Sequence, residues 1–217
     1  RPARTPALHI TVRILDETAG AALRITQTSL ATQTRQADRV EIAPQTTDAS
    51  GGSVGTQPWL LLLCAGDTLE PRALEVFEDA VLDHPHPAQL RLVYSDHDEQ
   101  LPDGSLRHPT FKPGLLPDYL LSLPYMGRAL WVREDWARTW LAQDPPPDAL
   151  ALAYRLMLAA LPDGTRQVLH VPTPLLHLSN RSAALLADSS ALWQALAAEL
   201  HRYLDRSEPG STVLEGP

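Results

Sequence analysis

Two short apolar runs with an amphipathic segment between them constrain this chain more than anything else in it. His9–Leu15 (HITVRIL) has the length and composition of a buried strand. Residues 21–33 carry Leu23 and Leu30 on one helical face, and residues 39–42 (RVEI) read as a short second strand. Strand, helix and strand within about 35 residues make a βαβ unit, whose crossover is right-handed. Residues 59–63 (WLLLL) add a central strand, and Leu90, Leu92, Val93 and Tyr94 another buried one. Residues 115–121 predict a short helix and 129–132 a strand. Asp135 is read as the cap of a helix through Trp140. Asp148 caps the next helix, whose stripe is Leu150, Tyr154, Met157 and Leu161. Strands alternating with helices, then a hairpin-like segment, predict an α/β fold: a three-layer α/β/α sandwich around a mixed, mostly parallel sheet.

The 217 residues suit one domain with a sizeable core, or one domain and a short appendage. A formal charge of −8 excludes a general nucleic-acid binder, which needs a basic face. A single cysteine, Cys64, excludes an internal disulfide and a CxxC metal site. The longest apolar run, residues 59–65, is far short of the ~20 residues that span a bilayer. No signal segment opens the chain. It starts on Arg1 rather than Met, as expected of a processed or excised piece whose missing flank could hold a membrane anchor.

After Tyr94 the apolar strand gives way to Asp96, Asp98 and Glu99, which read as a loop past the strand end, followed by the turn Pro102-Asp103-Gly104-Ser105. Open α/β sheets place their sites at such strand ends. The whole of 94–128 resembles the YSDEDE…G.R..P.FKP…LL…Y.GR segment of bacterial family 2 glycosyltransferases that build cell-surface polysaccharides. The matching residues are Tyr94, Ser95, Asp96, Asp98, Glu99, Gly104, Arg107, Pro109, Phe111, Lys112, Pro113, Leu120, Leu121, Tyr125, Gly127 and Arg128. The resemblance extends more weakly over most of 10–177. It implies the GT-A nucleotide-sugar transferase fold and makes Asp96, Asp98, Glu99 and Lys112 the acceptor-side residues. His97 stands where the family carries Glu; it is read as exposed and without a role, against a cation ligand or a group titrating near neutral pH.

The donor-binding half departs from the family. Its two strand-end motifs for uracil and ribose are not intact, leaving Asp16 and Asp48 as substitutes that are equally well read as turn residues. The polar stretch 44–58 replaces a much longer family segment that approaches the diphosphate. At the metal-binding Leu-Asp-x-Asp-Asp-x-Leu, this chain has Cys64 and Gly66 in place of two carboxylates and keeps Asp67. Mg²⁺ or Mn²⁺, hard ions that need oxygen ligands, would be held through Asp67, with His177 as a second ligand implied by its family position. The family's Asp-Tyr-Asp-Leu-x-Leu-Arg corresponds to residues 149–155, where both aspartates are alanine. Asp148 is then the nearest replacement for the catalytic base, with helix capping as its other reading. His84 and His86, separated by proline, read as a surface turn.

The expected organisation is an N-terminal flank at 1–8, a transferase-like domain at 9–180, an amphipathic C-terminal helix at 181–205 and a tail at 206–217. Three readings follow: a glycosyltransferase-like domain with weakened or lost catalysis, a non-catalytic glycan-binding or scaffolding module of a larger protein, and an active metal-dependent transferase. Expected partners are a weakly held or lost nucleotide sugar, a glycan acceptor, and further domains or a second copy of the chain. Nucleic acid and a membrane span within the chain are not expected. The resemblance places the protein in the cytoplasm, at the inner face of the membrane.

Overall fold

The computed structural model describes residues 8–15, 20–43, 58–144, 146, 148–179 and 190–213. The βαβ unit forms as expected: β1 (His9–Leu15), α1 (Ala21–Ala31) and β2 (Arg39–Ala43), with β1 and β2 parallel. β3 (Pro58–Cys64) pairs parallel to the other side of β1 and is followed by a two-residue strand β4 (Thr68–Leu69) and α2 (Ala73–Leu82). Then come β5 (Leu92–Gln100), β6 (Leu106–Thr110), α3 (Pro117–Ser122), β7 (Leu130–Arg133) and α4 (Glu134–Leu141). The described elements end with α5 (Ala149–Ala160), β8 (Val168–Ser179) and α6 (Ser190–Ser207).

The sheet runs β2-β1-β3-β7-β5-β8-β4, with β6 paired to β5. It is mixed, and the longest pairings are the parallel ones: β1 with β2, β1 with β3, and β5 with β8. Strand periodicity sorts the core onto two faces. Trp59, Leu61 and Leu63 of β3 join Val93 and Trp131 beneath α2, whose Leu74, Phe77 and Val81 pack down on them. Phe77 stacks on Trp131 at 5.3 Å and meets Trp59 edge-on at 5.2 Å. Leu60, Leu62, Leu92, Tyr94 and Val132 point to the opposite face, covered by α5 and α6. The three layers are therefore helices, sheet and helices.

Several elements differ from the sequence reading. β5 does not end at Tyr94. It continues through the acidic cluster, because β8 keeps pairing with it across two irregularities and β6 returns along its other edge. The carboxylates are thus on a strand, not in a loop. α5 is buried on nearly all sides rather than along one stripe, since it lies between the sheet and α6. Asp135 sits inside α4, in an ion pair with Arg133 that includes a 3.0 Å contact to Nε, and does not occupy the cap position. α6 continues to Ser207, past the expected end at 205. No helix among the described residues is long and apolar enough to cross a membrane.

Candidate active site

The site is built around the turn that follows β3. Gly66 has φ +100°, a conformation that L side chains rarely adopt, and a Cβ there would lie 3.2 Å from Ser179 Oγ. That accounts for glycine at a position where the family carries a carboxylate. Thr26, buried on α1, locks the turn by donating to the Asp67 carbonyl at 2.7 Å and accepting the Gly66 N–H at 2.9 Å.

The Asp67 side chain is 0% exposed. Arg128 donates to it from Nε (3.1 Å) and Nη2 (2.8 Å to each oxygen), and the Ser179 N–H adds a bond to Oδ1 at 3.0 Å. Such a fork on a carboxylate is a strong, directional contact. Burial works against the Arg128 charge, but Cys64, Asp67 and Asp148 around it outweigh burial and push its pKa up. The residues present therefore do not fit a divalent cation in this arrangement: both Asp67 oxygens face hydrogen-bond donors. No group of three or more His, Cys, Asp or Glu side chains among the described residues is arranged to hold a metal ion.

The acceptor-side residues form a second buried network. Asp96 is 2% exposed; its Oδ1 accepts the Lys112 N–H at 2.9 Å and shares a 2.8 Å hydrogen bond with His170 Nε2. Asp98, 8% exposed, shares a 2.6 Å hydrogen bond with His177 Nδ1. Lys112 turns its ammonium inward to the carbonyls of Ser95 (2.6 Å) and Met126 (2.7 Å). Burial pushes its pKa down to about 7, opposed by Asp96. Gly127, with φ +81°, passes so close that a Cβ would lie 3.3 Å from Lys112 Nζ. Tyr94 stacks on His170 at 4.8 Å and donates to the Pro113 carbonyl at 2.5 Å. Glu99 alone of the four acceptor-side residues is partly exposed.

His97 is half-buried rather than exposed as the sequence suggests. Burial, with Lys112 and Arg128 nearby, pushes its pKa down to about 4 against the pull of Asp96, so it is neutral at neutral pH. Asp148 is the N-cap of α5, its Oδ1 accepting the Leu150 N–H at 2.6 Å. The structure thus brings Asp67 and Arg128 together, and joins Asp98 to His177 and Asp96 to Lys112. Asp16 and Asp48 lie outside the described residues, as does most of the 44–58 stretch. Sequence reasoning missed the roles of Arg128, His170 and Thr26. Thr26 falls between Leu23 and Leu30 on the buried stripe of α1, and a polar residue there was the available signal.

No protein-family model matches the chain. Over 130 residues, 60% of this chain, it is 34% identical to the O-antigen biosynthesis protein RfbC of Myxococcus xanthus, a match that spans 10% of that protein. In three dimensions it is similar to glucosyl-3-phosphoglycerate synthase from Mycobacterium tuberculosis, crystallised with Mg²⁺ and UDP. The TM-score is 0.55 at 11% identity, over 93% of this chain and 84% of that one. The chain has the GT-A glycosyltransferase fold. The GT-A domain is also similar to S. aureus TarS, with a TM-score of 0.52 at 10% identity, covering 93% of this chain and 73% of TarS. These similarities agree with the resemblance to family 2 glycosyltransferases drawn from the 94–128 segment.

Proposed function

We propose that this GT-A domain serves surface-glycan assembly as a glycan-facing module whose sugar transfer is weakened or lost. The observation that carries this reading is the internal commitment of the candidate metal carboxylate and of the nearest replacement for the base. Asp67 is bound by Arg128, and Asp148 caps α5. A metal-dependent transfer needs carboxylates free to hold a cation against the diphosphate, and an inverting one needs a base for the acceptor hydroxyl. Mg²⁺ or Mn²⁺, reported with UDP in the mycobacterial synthase, gains no ligand from Asp67 while Arg128 holds it. His177, the other candidate ligand, is oriented by Asp98 through Nδ1 and offers a cation Nε2 alone, a single donor without a carboxylate beside it.

On the acceptor side, Asp96, Asp98 and Lys112 brace the rim from within, and Glu99 is the carboxylate that meets a glycan. Nucleotide sugars are weak partners in this reading, and the domain works in the cytoplasm at the inner face of the membrane. The match to only a tenth of a longer relative favours a related second reading, a scaffolding module within a larger protein. The test is to incubate the chain with UDP-, GDP- and dTDP-sugars in Mn²⁺, quantify released nucleoside diphosphate, and probe a glycan array in parallel. Array binding without release above the buffer control is expected. Sustained release of nucleoside diphosphate would return the chain to the active class.

A further inference from the structure

We infer that Arg128 is the resident cation of this site, occupying on Asp67 the place that a divalent ion would otherwise take. The inference rests on the weakened-transfer reading: Arg128 is itself a residue of the family segment, and with Cys64 and Gly66 in place of two carboxylates Asp67 is left to it alone. Asp67 is fully buried, and a buried carboxylate persists only when its charge is compensated. Here the compensation is covalently part of the chain: Nε and Nη2 of Arg128 span both carboxylate oxygens. The arginine is delivered by the Gly127 turn, whose positive φ and close approach to Lys112 Nζ fix the backbone just before it. Its side chain is itself 10% exposed, so the guanidinium fills the inner end of the site rather than reaching across it from solvent.

Arg128 also borders a cavity of about 210 Å³ with His97, Tyr125, Leu176, Leu192 and Leu196. That wall is largely apolar, so moving the guanidinium aside to admit a hydrated ion would strand its charge against leucines. Exchange of Arg128 for Mg²⁺ or Mn²⁺ is therefore opposed on both sides: Asp67 loses its fork, and Arg128 gains no new anion. Removing the guanidinium reverses the situation. Asp67 would keep its place, held by Ser179 and the Thr26-locked turn, with the space left by the guanidinium before it.

The test uses thermal melting with Mn²⁺ or with EDTA and no sugar donor, so that it is independent of the turnover assay. The wild type is expected to melt at the same temperature in both. Arg128→Ala is expected to melt lower in EDTA and to recover part of the loss with Mn²⁺. The doubly substituted Asp67→Asn/Arg128→Ala chain is expected to show no Mn²⁺ response. A wild-type Mn²⁺ shift that Asp67→Asn abolishes overturns the inference, as does a folded Arg128→Ala chain that Mn²⁺ leaves unchanged. If Arg128→Ala does not fold, electron paramagnetic resonance of Mn²⁺ with the wild type decides alone. Retention of the free-ion signal supports the inference, and its loss, reversed in Asp67→Asn, overturns it. Nucleotide release by a chain indifferent to Mn²⁺ would refute the proposed function and leave the role of Arg128 standing.

Discussion

His97 shows how a side chain on this rim acquires properties its neighbours in sequence do not announce. It sits among Asp96, Asp98 and Glu99, which would favour a charged histidine, yet burial and the cations Lys112 and Arg128 hold it neutral. A histidine whose folded pKa is about 4 against 6.5 unfolded leaves the unfolded chain holding the extra proton between those values. Stability should therefore fall as pH drops from 6.5 towards 4, by roughly 2–3 kcal/mol over the window, and stop falling below it. His97→Leu should flatten that part of the profile in urea unfolding at stepped pH. An unchanged acid slope would show that His97 is charged in the fold. The partners of the acidic cluster were not legible for the same reason. Asp67 and Arg128 are 61 residues apart, Asp96 and His170 74, and Asp98 and His177 79. Sequence patterning speaks to neighbours within a turn or a strand; the two histidine pairs are made only when β8 is laid beside β5, and the Asp67–Arg128 pair when β7 is laid beside β3.

Among elements, those set by local chemistry were legible: the βαβ opening, the β3 strand, and α5 begun by an Asp148 cap. What was not legible is how α6 is fastened. Arg155 on α5 and Glu199 on α6 form a doubly bonded pair, 2.8 Å in each contact and 4% exposed on both sides, and Arg202 adds a contact at 3.3 Å. On α5 alone, Arg155 looks like a polar residue on an exposed face. It is buried because α6 covers that face. Breaking a buried pair from one side strands a charge and costs about 3–5 kcal/mol, whereas replacing both partners with apolar groups costs far less. Arg155→Ala and Glu199→Ala should each lose stability on that scale in urea unfolding. Arg155→Leu combined with Glu199→Met should recover most of it. Equal losses in the single and double variants would mean that the pair does not fasten α6 to α5.

For the whole molecule, the GT-A sandwich stands with Asp67 paired to Arg128 and Asp148 capping α5. Both faces of the sheet are packed with leucine, tryptophan and phenylalanine, so the fold does not depend on a bound nucleotide or ion to close its core. On the proposed function, grip on a donor is weakened, because a diphosphate is held largely by a cation or a fixed positive charge, and Arg128 is already committed to Asp67. Titration calorimetry with UDP in the presence of Mn²⁺ tests this most directly. The account predicts a dissociation constant of about 1 mM or weaker, corresponding to some −4 kcal/mol. Micromolar, Mn²⁺-dependent binding of UDP would contradict it.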